Sequence, residues 1–158
     1  MIRHILVAVG PSFSEAALSV AINRARRAKA RLTVLHVIDE TPWWSGPFAE
    51  SACDTRAITH QLALAIRGHS EKMLRDAGIE ADWRTRTRDG RSVARVIADI
   101  AALLGADLVV LGTRRRGLLA LGIHHVRAIV SRHARCDVLI ATDRAPQNAR
   151  VIEWPTSA

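Results

Sequence analysis

Cysteine is scarce in this sequence. Cys53 and Cys136 are the only two among 158 residues, and two thiols at that separation make neither a disulfide framework nor a zinc site. Lysine is scarcer still for so basic a chain: Lys29 and Lys72 stand alone among 23 basic residues, so nearly all the positive charge is arginine. No apolar run is long enough to cross a bilayer. The opening Met1-Ile2-Arg3-His4-Ile5-Leu6-Val7-Ala8-Val9 does not read as a secretory signal, because its apolar part is short and Gly10-Pro11-Ser12 leads straight into a helix pattern. The expectation is a cytoplasmic protein with no membrane partner. Gly-x-Ser-x-Gly, a P-loop lysine motif and Cys-x-x-Cys are all missing. No nucleophile or base accompanies Asp39, Glu40 and Asp54, which read as solvated loop acids. The chain is therefore not expected to be an enzyme.

Hydrophobic residues make up 49% of the sequence, enough for a sizeable core. The length suits one domain, with no internal repeat, expected over residues 1–141. Residues 142–158 lack periodicity and are expected to form a mobile tail. Compact apolar, β-branched runs at 5–9, 32–38, 108–111 and 137–141 read as buried strands, and the alternating stretch 81–88 as a further strand. Between them the spacing changes to that of helices. Ser12-x-x-Glu15 reads as a capping box, followed by Ala16, Ala17, Val20, Ala21 and Ala25 on one face, with the helix ending near Lys29. A long helix is predicted over 55–77, with the stripe Ile58, Leu62, Ala65, Ile66 and Leu74. Another carries Val93, Val96, Ile97, Ile100, Ala101 and Leu104 and stops at Gly105, and a last one spans about 123–133. Strands alternating with helices imply an α/β fold with a mostly parallel sheet covered on both faces.

In such sheets ligands bind beyond the carboxyl ends of the strands. Three loops qualify, at 10–14, 38–44 and 112–125. The third is the most informative: Gly112-Thr113-Arg114-Arg115-Arg116-Gly117-Leu118-Leu119-Ala120-Leu121-Gly122-Ile123-His124-His125-Val126 combines three glycines, a hydroxyl and three adjacent arginines. Glycine lets backbone amides approach a phosphate and arginine supplies charge. A solvated basic loop with glycines for its turns explains the same residues equally well.

Leu108-Val109-Val110-Leu111-Gly112-Thr113-Arg114, with the later His133-Ala134-Arg135-Cys136-Asp137-Val138-Leu139-Ile140, resembles the carboxyl-terminal signature of the universal stress protein (UspA-like) family. His4-Ile5-Leu6-Val7-Ala8-Val9 and Leu35-His36-Val37 fit the same family, so the resemblance covers about residues 2–141. It implies a five-stranded doubly wound sheet flanked by helices, Rossmann-like and of the adenine-nucleotide alpha-hydrolase type. It also implies a homodimer formed through the last strand, 137–141, and a role in stress tolerance.

Some members of the family bind ATP through Gly-x-x-Gly, nine residues, then Gly-Ser or Gly-Thr. Here Gly112 matches the first glycine, Arg115 replaces the second, and, allowing one deleted residue in the loop, His124-His125 stand before Val126 in place of the final pair. The aspartate that usually ends the first strand, near base and ribose, is Gly10. The resemblance thus implies an altered, weaker site for ATP or another adenine nucleotide. Its candidate residues are Gly10, Ser12, Val37, Ile38, Gly112, Thr113, Arg115, His124, His125 and Val126. Magnesium is expected only as the nucleotide's companion, and any ATP hydrolysis as slow and incidental.

The alternative is a nucleotide-free homodimeric regulatory module acting through a protein partner. Strong basicity, with a net charge of +8, also raises nucleic acid, through Arg24, Arg26, Arg27 and Arg114–Arg116. No nucleic-acid motif accompanies it, so a specific nucleic-acid partner is not expected. Neighbouring histidines on a helix point apart, so His124, His125 and His133 are not expected to bind metal. Trp43 and Trp44 read as a loop lid on the sheet end sooner than as a base-stacking pair.

Overall fold

The computed structural model describes residues 1–10, 15–39, 55–113 and 119–142. Nine elements alternate along them: β1 (His4–Val9), α1 (Glu15–Ala28), β2 (Arg31–Ile38), α2 (Thr55–Ala77), β3 (Asp82–Thr87), α3 (Val93–Leu104), β4 (Leu108–Thr113), α4 (Leu119–Ala134) and β5 (Asp137–Thr142). The strands form one parallel sheet in the order β3-β2-β1-β4-β5. This is the five-stranded doubly wound α/β sheet expected from the sequence.

Side-chain alternation in the strands builds a two-sided core. Ile5, Val7, Val9 and Val34 pack with Leu18, Ala21 and Ile66, beneath α1 and α2. Leu6, Leu35 and Val109 pack with Val96, Ile97 and Val130, beneath α3 and α4. Helix α3 shows how the ends of an element are specified. Ser92 accepts the Arg95 amide proton on its hydroxyl at the amino end. Gly105 closes the other end at φ 61°, a left-handed conformation that glycine adopts without strain.

Two expectations need correction. The predicted stripe of α2 is buried only at Ile66 and Leu74, whereas Ile58 and Leu62 are exposed. The 23 residues of α2 span about 35 Å, but the eight of β2 span only about 26 Å, so the first turns of α2 have no sheet beneath them. The last helix was expected from about residue 123 but begins at Leu119. Leu119, Ala120 and Leu121 are strong helix formers and carry it through Gly122, whose penalty relative to alanine is only about 1 kcal/mol.

At the amino end of the sheet a polar cluster pins β1 to its neighbours. Asp107, just before β4, accepts the backbone N–H groups of Arg3 at 2.7 Å and His4 at 2.9 Å through Oδ2. These two hydrogen bonds hold its carboxyl below the usual carboxylate range. The His4 ring is buried. Its Nδ1 donates to the Leu104 carbonyl at 3.2 Å, and its Nε2 shares a hydrogen bond of 2.9 Å with the buried Thr33 hydroxyl. One side chain thus links β1, β2 and the end of α3.

Replacing His4 with Phe keeps the ring volume but strands the Thr33 hydroxyl and the Leu104 carbonyl. The expected loss, read from urea denaturation midpoints, is about 1–3 kcal/mol. Adding Thr33→Val should recover part of it, because the orphaned hydroxyl is then removed.

Candidate functional site

The chain leaves β1 towards β2 and β3 on one side of the sheet and later returns to β4 and β5 on the other. The strand order therefore reverses between β1 and β4. Their following segments lead to α1 on one face and α4 on the other, and the divergence leaves a crevice at the carboxyl rim. Registers give the neighbours there. Ala8 lies beside Leu111 and Val9 beside His36. The β1–β4 pairing ends at Ala8 and Leu111, so Val9–Gly10 and Gly112–Thr113 run on past the last paired residues, with Ala141 and Thr142 of β5 beside Gly112 and Thr113.

Of the candidate residues, Gly10, Val37, Ile38, Gly112 and Thr113 share this rim. A Cβ placed on Gly10 would meet no atom within 4 Å, and Gly10 is not among the positive-φ residues. Among the described residues, neither packing nor backbone conformation requires glycine at this position. The Val37 side chain is buried in the α3-side core, which leaves only its backbone to face a ligand. Ile38 and Gly112 are half-buried at the rim itself.

The structure places the two candidate histidines inside α4 and not at its start. With α4 starting at Leu119, His124 and His125 are beyond the four leading amides that a helix leaves free. Their N–H groups are committed to the helix, and the free amides belong to residues 119–122. The side chain of His125 is exposed, while Val126 packs against the α3-side core. Ser12, Arg115, Trp43, Trp44, Cys53, Glu40 and Asp54 lie outside the described residues. The capping box also falls partly there. Its Glu15 opens α1 and pairs through Oε1 with Nε2 of His69 on α2 at 2.9 Å. Asp39, read as a solvated acid, holds Nη1 of Arg88 at 2.8 Å and ties the end of β2 to the turn after β3.

The described residues contain no group of three metal-ligating side chains. Cys136 lines an open groove of about 490 Å³ at the opposite, amino pole of the sheet. Burial, with Asp137 and Asp107 nearby, raises its thiol pKa, which disfavours the reactive thiolate.

One residue of the rim's surroundings was not picked out from the sequence. His36 sits inside β2 next to Val9, is 3% exposed, and its Nδ1 has no hydrogen-bond partner. Its only sequence signal is a histidine within an otherwise apolar run. Burial lowers its pKa from 6.5, so the native state disfavours the proton that the unfolded chain accepts. The stability it lends is present above the unfolded value and is lost as pH falls from about 6.5 through the lowered native value. Urea midpoints should therefore drop between pH 7.5 and 5, and a His36→Leu variant should show a shallower fall than the parent.

The matching family model, the universal stress protein family, spans residues 1–142. A protein of Staphylococcus haemolyticus named as a universal stress protein is 31% identical over 156 residues, covering 92% of this chain and 88% of its own length. Among solved structures, a universal stress protein of Archaeoglobus fulgidus in complex with dAMP superimposes with a TM-score of 0.59 at 23% identity, over 89% of this chain and 99% of that one. A universal stress protein family protein of Arabidopsis thaliana with AMP bound gives 0.60 at 19% identity, over 90% and 93%. The chain belongs to the universal stress protein family.

Proposed function

We propose that this chain is a stress-response module that binds an adenine nucleotide, ATP or a relative, at the crevice between β1 and β4, and that it does so weakly. The observation that carries this reading is the reversal of strand order between β1 and β4, where Gly10 and Gly112–Thr113 follow the last paired residues, Ala8 and Leu111. That is where parallel sheets of this kind hold nucleotides, and the space that the described residues leave in front of Gly10 supports it. The fold neighbours that carry dAMP and AMP favour the same ligand class. Phosphate would find the leading amides of α4, at 119–122. The base would lie against the backbone at Val37 and Ile38. The weakness has a stated source: Gly10 offers no carboxylate to a ribose hydroxyl. The one histidine–hydroxyl pair described above, His4 with Thr33, is buried at the opposite, amino end of the sheet, so binding without turnover is the reading.

The module is proposed to act as a homodimer. In β5, Val138, Leu139 and Ile140 are only half-buried. Among the described residues, no strand lies beyond β5. Pairing with a second copy would cover both the apolar side chains and the open ladder edge.

Chromatography of nucleotide released on denaturation, with ATP titration of the stripped protein, tests the site. Saturable binding is expected. Gly10→Asp, whose Cβ no described residue obstructs, should tighten it by about tenfold through an added charge-assisted hydrogen bond. An empty protein that ignores ATP, and a Gly10→Asp variant that does the same, would instead favour a nucleotide-free module working through protein partners. For the dimer, sedimentation at micromolar concentration should give twice the chain mass, and a monomeric profile would refute the β5 contact.

A further inference from the structure

The other edge of the sheet, β3, differs from β5 in its chemistry. Its residues Asp82-Trp83-Arg84-Thr85-Arg86-Thr87 are all exposed or half-buried. Trp83 packs against the α1/α2-side core. Arg84 and Arg86 stand beside Leu35 and Val37, on the α3 side. Thr85 and Arg86 are exposed, and among the described residues no strand lies beyond β3.

The charges around this edge are unequally matched. Asp82 holds Arg31 at 3.5 Å and Asp39 holds Arg88 at 2.8 Å. Asp89 and Asp99 are both engaged by Arg91, and Asp99 also by Arg95. Arg84 and Arg86 form no ion pair among the described residues. Arg86 instead turns its Nη1 onto the carbonyl of its neighbour Thr85, at 2.8 Å. Two guanidinium groups without an ion pair thus stand two residues apart along an edge that no described strand covers.

This spacing matches a particular ligand. An extended chain pairing with β3 presents alternate side chains to the same face at the same repeat. Acidic residues at every second position would meet Arg84 and Arg86 together, and the ladder would take over the main-chain groups of the edge. We propose that β3 is a docking edge for an extended, acidic segment of a partner protein, joined as a sixth strand. The edge is independent of the nucleotide crevice and of the β5 contact. The competing role for its arginines is protective, since charge on an edge strand discourages pairing with other chains. The two roles predict opposite results.

The test is fluorescence anisotropy of the full chain with a labelled peptide of alternating Glu and Thr, at low and at physiological salt. The comparison probes are the same peptide N-methylated at alternate amides and a single-stranded oligothymidylate. Saturable binding of the peptide is expected, weakened at least about tenfold by Arg84→Glu with Arg86→Glu and by N-methylation. Amide exchange should slow within β3 when the peptide is bound. If the glutamate variant fails to fold by circular dichroism, Arg84→Gln with Arg86→Gln takes its place, with weakened binding still expected. No binding at low salt would establish the protective role and overturn the proposal. Indifference to N-methylation, or equal binding of oligothymidylate by the same arginines, would reduce the edge to a general anion surface and overturn it as well.

Discussion

The structure depends on β1 being held from both sides. Its six residues pair with β2 along their whole length and with β4 over Ile5 to Ala8, and its side chains feed both apolar layers. A strand buried on both faces needs every main-chain group satisfied by its neighbours. The Asp107 carboxylate extends this control beyond the strand's end by taking the amides of Arg3 and His4. The crevice at the opposite end follows from the same placement. With β1 at the reversal point, its carboxyl end is where the two halves of the sheet part.

Most of the fold was legible because the apolar periodicities are strong. The run Leu108-Val109-Val110-Leu111 has only one reading, and the apolar spacing between Val93 and Leu104, closed by Gly105, gave both ends of α3 correctly. The start of α4 was misplaced because Gly122 was read as loop chemistry, while the leucines and alanine around it favour helix. The overhang of α2 was hidden for a different reason. Periodicity specifies which face of a helix is apolar, but not how far the sheet beneath it extends. His4 and His36 are both invisible as special residues, since one finds two partners for its ring and the other leaves its Nδ1 without one among the described residues, and such pairing exists only once distant strands meet.

The candidate site was legible in its location and only partly in its composition. The loops at the carboxyl ends follow from the α/β order, and Gly10 and Gly112 both lie past the last paired residues of β1 and β4. What the sequence obscured was which amides point at an anion, because moving the start of α4 by one turn exchanges His124 and His125 for residues 119–122. The carboxylate missing at Gly10 and the arginine at 115 weigh against a site of full strength. The surplus of arginine is not spread evenly either. Some of it is engaged in local pairs such as Arg67–Glu71 and Arg91–Asp99, and Arg84 and Arg86 on the β3 edge are among the described arginines without such a pair.

The central position of β1 also has a consequence for how the chain acquires its shape during synthesis. The first strand to emerge is the one whose second partner comes last: the contact between Arg3 and Asp107 closes a separation of 104 residues. Until β4 has been made, one edge of β1 has no β4 to pair with, and its apolar side chains have nothing to pack against on that side. Contacts of such long sequence separation slow folding, and partly paired strands invite association with other chains. Ribosomal speed through the stretch between β1 and β4 should therefore matter more for the yield of this protein than speed beyond β4.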